Sequence, residues 1–241
     1  MSAFRYPVML DLEGRACLVV GGGIVAARKI SGLLAAGARV TVVSPVLAPA
    51  VLDIAREGRL RWWPREYAEG DVAGFALVMV ATDDETVNAR IAAEGRARSV
   101  WVNCADDPKR CDFILPSVLR RGPLTVAVST GGASPTVARM VREELEAALP
   151  PDYGTLTEVV ADVRGALRER GIALDARRWR DALDGELKRL VAAGRPAEAR
   201  ERLRERLGLS KGASTAPSEP PPERSCAGEA GARTEVSPTR V

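Results

Sequence analysis

The chain has 241 residues, 46% of them apolar, and a formal net charge of +3; it can bury one large core or two to three small ones. No apolar stretch approaches the roughly 20 residues of a membrane span, and residues 1–12 lack a signal-peptide pattern, so a cytoplasmic protein without a membrane partner is expected. The small charge, spread over helices rich in both signs, gives no case for nucleic acid, and the absence of histidine leaves proton transfer to carboxylate, Tyr, Lys, Cys or water and makes a transition-metal site unexpected.

In chain order, apolar β-branched segments at 17–20, 40–43, 60–63, 77–81 and 100–104 alternate with helical patterns at 25–36, 47–57 and 85–98. That rhythm predicts a parallel sheet covered on both faces. The rhythm changes after Asp112. An extended 113–115, a turn at Arg121-Gly122-Pro123, a strand at 124–129 and a helix at 134–149 suggest a small α+β unit with antiparallel pairing. Pro150-Pro151 stops that helix, and amphipathic helices are expected at 155–170, 175–193 and 196–207, separated by Gly171 and Gly194. The predicted organisation is α/β: a Rossmann domain over 1–112, a small α+β domain over 113–150, a helical domain over 151–209, and a tail over 210–241 too poor in large apolar residues to fold. Cys17, Cys104, Cys111 and Cys226 contain no CxxC pair, and disulfides are not expected.

Gly21-Gly22-Gly23-Ile24-Val25-Ala26 fits the G-x-G-x-x-G/A fingerprint between a strand and a helix. Gly21 permits the tight turn, Gly23 lets backbone approach a pyrophosphate, and Ala26 lets the helix pack closely; the helix start offers its amides to phosphate. Where an NAD site usually has an acid after the second strand, this chain has Ser44-Pro45, which can bond a ribose hydroxyl but does not repel a 2′-phosphate. No arginine follows to welcome that phosphate, which favours NAD. Thr82, after the fourth strand, is placed to line the cofactor crevice, and Asp84 to cap the next helix. Asn103-Cys104-Ala105-Asp106-Asp107-Pro108 ends the fifth strand at the same edge. With histidine absent, Asp106 is the leading base, a reading that stands level with a plain Asp-Asp-Pro turn. In Ser129-Thr130-Gly131-Gly132-Ala133-Ser134-Pro135, Ser134 is a helix N-cap behind a glycine loop, an arrangement able to hold a carboxylate and equally a simple cap.

These motifs, with Arg28-Lys29, Asp83-Asp84, Val87-Asn88, Phe113-Ile114-Leu115-Pro116-Ser117, Val126-Ala127-Val128-Ser129 and Ala138-Arg139, make the chain similar over about residues 4–208 to the precorrin-2 dehydrogenase family, also found as the amino-terminal half of bacterial sirohaem synthase. The resemblance implies NAD-dependent oxidation of precorrin-2 to sirohydrochlorin, a homodimer formed through 113–150, and Asp106 as the acid-base residue. It implies NAD contacts at Ile24, Val25, Pro45 and Val46, joining Gly21, Gly22, Gly23, Ser44, Thr82 and Asn103. Family members commonly carry an acid where this chain has Ile24, so backbone must serve there. Ser129, Gly131, Gly132, Ser134 and Arg139 are candidate substrate contacts, with Arg120 and Arg121 as further cations for the macrocycle's acids; Ser129 is open between substrate contact, regulatory hydroxyl and strand-end structure. Some relatives also insert Fe²⁺, which would make iron a second substrate. The methyltransferase half of sirohaem synthase is not expected in this chain. The rival reading is a dimeric NAD(H)-sensing module without catalysis; a dehydrogenase for another anion is disfavoured because no Tyr-x-x-x-Lys is present.

Overall fold

The computed structural model describes residues 5–105 and 107–209; Asp106, Cys226 and the 210–241 tail lie outside the described residues. Five strands, β1 (Ala16–Val20), β2 (Arg39–Val43), β3 (Arg61–Trp63), β4 (Leu77–Val80) and β5 (Trp101–Cys104), pair in parallel in the order β3-β2-β1-β4-β5. This is the doubly wound order, reversing between β1 and β4. Helix α1 (Ile24–Ala35) follows β1, α2 (Pro49–Arg56) follows β2, and α3 (Glu85–Arg98) links β4 to β5.

The strands read as continuous apolar runs because both faces are buried. Successive β1 side chains feed opposite layers. Cys17 and Val19 pack with Ala26, Ile30, Leu33 and Val51, while Leu18 and Val20 pack with Tyr67, Val72, Ile91 and Ala92. In register, Val20 faces Val43 on one side and Val80 on the other, and Val80 faces Cys104. The segments after these residues therefore leave the sheet side by side.

After β5 a 3₁₀ turn (Pro108–Arg110) leads to a hairpin of β6 (Ser117–Arg121) and β7 (Leu124–Val128), paired antiparallel with Leu119 opposite Val126. The sequence points to 113–115 as the extended partner, but pairing starts beyond Pro116, which has no N–H for a ladder. Gly122, at φ +52°, makes the tight turn into Pro123. Helix α4 (Pro135–Ala148) packs on the hairpin, and Ala138 on α4 and Leu119 on β6 are both buried.

The chain divides into two compact units between Glu158 and Val159, within α5 (Asp152–Glu169). In the second unit α6 (Ala176–Ala182), α7 (Gly185–Ala192) and α8 (Pro196–Arg206) follow, and Val163, Leu187, Ala199 and Leu203 are fully buried. The single helix expected over 175–193 is two helices. Asp184 interrupts it: its carboxylate accepts from the Leu187 amide at 2.9 Å and pairs with Arg202 at 2.6 Å and Arg206 at 3.2 Å, so a cap wins over helix continuation. Among the described residues no helix is long and apolar enough to cross a membrane.

Candidate active site

The glycine loop leaves β1 at the point where the strand order reverses. Gly21 has φ +112°, and a Cβ there would lie 2.2 Å from the Ala81 carbonyl oxygen; its amide donates to the Val43 carbonyl at 2.9 Å. A Cβ on Gly22 would meet the Val46 carbonyl oxygen at 2.2 Å, and the Gly22 carbonyl accepts from the Ala48 amide. The first two glycines are thus demanded by the neighbouring loops. Gly23 differs: it is the N-cap of α1, supplies no side-chain cap, and a Cβ there would meet nothing within 4 Å. The open space lies over uncapped helix amides, where an anion is favoured.

Around this opening lie apolar side chains facing solvent: Ile24 is 72% exposed, Val25 44% and Val46 74%. An open helix start flanked by outward aliphatics is a cradle for a ligand with both phosphate and flat apolar rings. The residues present therefore fit a dinucleotide. Ser44 is buried; its hydroxyl donates to the Val46 carbonyl at 2.7 Å and its own carbonyl accepts from Trp62 Nε1 at 2.9 Å, so Ser44 shapes the loop holding Pro45 and Val46. Thr82 is likewise committed locally, donating to Asn88 Oδ1 at 3.0 Å and accepting from the Asp84 amide at 3.1 Å. Asp84 caps α3 through the Thr86 and Val87 amides, as the sequence indicates. Buried Asn88, which returns its amide to the Thr82 carbonyl, matters here through a bond its sequence position did not reveal.

At the end of β5, Asn103 is buried and fully engaged. Its Oδ1 accepts from Lys29 Nζ of α1 at 2.6 Å, and its Nδ2 donates to the Phe113 carbonyl at 2.9 Å. Asp106, three positions further along the sequence, lies outside the described residues. Its neighbour Asp107 is structural: it accepts from the Lys109 amide at 3.1 Å and pairs with Arg110 at 2.6 Å. Cys111 Sγ sits 3.2 Å from the Cys104 amide and 3.1 Å from the Cys104 carbonyl, closing the loop at its base. Burial pushes the Cys104 and Cys17 thiols up to about 11, so both stay protonated at neutral pH and make poor nucleophiles.

The candidate substrate contacts lie on a different element, the loop from β7 to α4. Ser129 Oγ accepts from the Gly131 amide at 3.1 Å, and Ser134 Oγ caps α4 by accepting from the Val137 amide at 3.2 Å. Thr130, which sequence reasoning passed over, organises the loop by accepting from the Ser134 amide and donating to the Ser134 carbonyl, both at 3.0 Å. Gly131 and Gly132 have φ of +67° and +94° and are exposed, as are Arg139 and Arg120. Arg121 is committed locally: it donates to the Leu149 carbonyl at 3.2 Å and pairs with Glu146 at 3.3 Å, closing the end of α4. Among the described residues no group of three Cys, Asp or Glu side chains is arranged to hold a metal ion.

Comparison with known proteins gives the same frame. Residues 8–117 match the family model described as "Putative NAD(P)-binding", and residues 121–148 match that of the sirohaem biosynthesis protein central region. The chain is 42% identical over 203 residues to siroheme synthase 1 of Serratia proteamaculans, covering 83% of this chain and 43% of that protein. It is 41% identical over 203 residues to the siroheme synthase of Methylobacillus flagellatus, covering 83% and 44%. This chain thus spans less than half the length of these relatives. A solved structure named "SirC, precorrin-2 dehydrogenase" matches with a TM-score of 0.66 at 28% identity, covering 83% of this chain and 100% of that one.

Proposed function

Because this chain belongs to the family of the precorrin-2 dehydrogenases and sirohaem synthases, we propose that it oxidises precorrin-2 to sirohydrochlorin with NAD. The observation that carries the reading is the open, uncapped start of α1 at Gly23, set at the switch point of a sheet whose sequence relatives are named for sirohaem synthesis. NAD, when bound, supplies the hydride acceptor. Gly21, Gly22 and Gly23 with the first amides of α1 would hold its pyrophosphate, and Ser44, Pro45, Val46, Ile24 and Val25 would contact the rest of the cofactor. Thr82 and Asn103 fix the walls of the crevice. NAD is preferred to NADP because Ser44-Pro45-Val46 brings no cation for a 2′-phosphate.

Loss of a hydride and a proton from the reduced macrocycle needs a base as well as an acceptor. Asp106 takes that role: Asp107 is bound within its own turn, and histidine is absent from the chain. Gly131, Gly132 and the Ser134 cap present backbone to a substrate carboxylate, with Ser129 and Arg139 beside them in the chain. Residues 113–150 form the dimerisation domain and 151–209 the helical domain in this reading. The homodimer is supported by Val137 and Met140, one turn apart on α4 and 42% and 51% exposed. A cytoplasmic enzyme fits the lack of a membrane-crossing helix among the described residues.

The test is turnover of precorrin-2 with NAD, followed by NADH and sirohydrochlorin absorbance. Asp106→Ala should lower kcat by about 10²-fold or more, as loss of a general base does, with NAD affinity unchanged. A folded, NAD-binding protein that leaves precorrin-2 untouched overturns the reading and favours the sensing module. Insertion of Fe²⁺ into the product is a second activity that the names of the curated relatives support; adding Fe²⁺ or Co²⁺ after oxidation measures it separately.

A further inference from the structure

We infer that Lys29 is a positioning residue for this reaction, tying the helix that bears the glycine loop to the chain that leaves β5; the inference rests on the function proposed above. Lys29 stands in the second turn of α1, beside the buried Ala26, Ile30 and Leu33, and is itself half-buried. A lysine on a plain surface face extends its ammonium into water and keeps its rotamer freedom. Here the ammonium donates instead to Asn103 Oδ1 at 2.6 Å, at the carboxyl end of β5. Asn103 is buried and passes the connection on, its Nδ2 donating to the Phe113 carbonyl at 2.9 Å. Phe113 lies where the loop returns.

The loop between these anchors is closed at its base. Val102 and Asp112 exchange two hydrogen bonds, Asp112 amide to Val102 carbonyl and Val102 amide to Asp112 Oδ2, each at 2.8 Å, and Cys111 Sγ sits against the Cys104 backbone. A rigid base fixed to α1 through Lys29 and Asn103 sets the relation between what the glycine loop holds and what the loop after β5 presents, and small misplacement of reacting groups is expensive. The charge of Lys29 also acts on both ends of the loop, favouring the ionised form of Cys104 and of Cys111 against the larger effect of burial. The Asp107–Arg110 pair within the loop also acts on Cys104, and Arg5 of the amino-terminal segment on Cys111.

The experiment uses the full chain as wild type, Lys29→Met and Lys29→Arg. NAD affinity is measured by calorimetry, backbone hydrogen exchange over residues 103–113 by mass spectrometry, and precorrin-2 turnover by absorbance. Lys29→Met should speed exchange over 103–113 and lower kcat by on the order of tenfold, with the NAD Kd held within about twofold as expected of a group off the phosphates. Lys29→Arg, which keeps charge and donors, should recover most of each. Unchanged exchange in Lys29→Met overturns the inference, as does an Arg variant no better than the Met variant. Should the wild type bind NAD but fail to oxidise precorrin-2, the proposed function falls, while exchange and NAD affinity still judge the tie.

Discussion

Gly21 and Gly23 occupy one motif for opposite reasons. Gly21 is held at a positive φ with no room for a Cβ against the Ala81 carbonyl, whereas Gly23 has ordinary φ of −82° and open space. Gly21→Ala should therefore destabilise the protein by about 2 kcal/mol or more, through strain and displaced backbone. Gly23→Ala should cost at most about 1 kcal/mol of stability, as expected at an N-cap, yet weaken NAD binding tenfold or more on the order of one lost phosphate contact. Thermal melts with and without NAD separate the two, and equal melting losses would reject the assignment of Gly23's space to phosphate. The motif letters announced a dinucleotide loop but not this division of labour, because the clash partner, Ala81, follows a strand distant in sequence.

At the scale of elements, periodicity located every helix of the sheet-bearing unit, since each must bury one apolar stripe. It failed at 175–193, where the apolar spacing carries through but the chain breaks. Only the arrival of Arg202 and Arg206 from α8 makes Asp184 worth more as a cap and ion-pair acceptor than as a helical residue. Hydrogen bonding from Arg202 first, then from the Leu187 amide, holds the Asp184 carboxyl down to about 2. A carboxyl depressed in the folded state contributes stability above its unfolded value, near 4, and that contribution is lost as pH falls from about 4 to about 2. Asp184→Asn should thus melt below wild type at neutral pH, with the gap closing by about pH 2; a gap as wide in acid as at neutrality would show the charge to be idle. The β6 partner strand was missed by a few residues for a related reason: local extension is legible, but register is chosen by the partner strand and by Pro116.

For the molecule as a whole, two compact units follow one another along the chain, and the first carries both the sheet edge and the hairpin. If the exposed pair on α4 forms the proposed homodimer, Met140→Glu should halve the sedimenting mass from about twice 25.7 kDa while leaving the helix content intact; a variant of unchanged mass would exclude that face. The sequence by itself determined the class of the fold, the dinucleotide loop and the Asp84 and Ser134 caps, and through a family resemblance it raised the expectation for Asp106. Those features are local: strand apolarity, glycine spacing and cap chemistry act within a few residues. Tertiary structure decided what depends on distant chain: that β1 and β4 flank the switch point, that Arg121 closes the end of α4, and that Lys29 reaches Asn103 across 74 positions of sequence. Hydrogen bonds between side chains so far apart are set by how the sheet is wound, and no pattern along the chain encodes them.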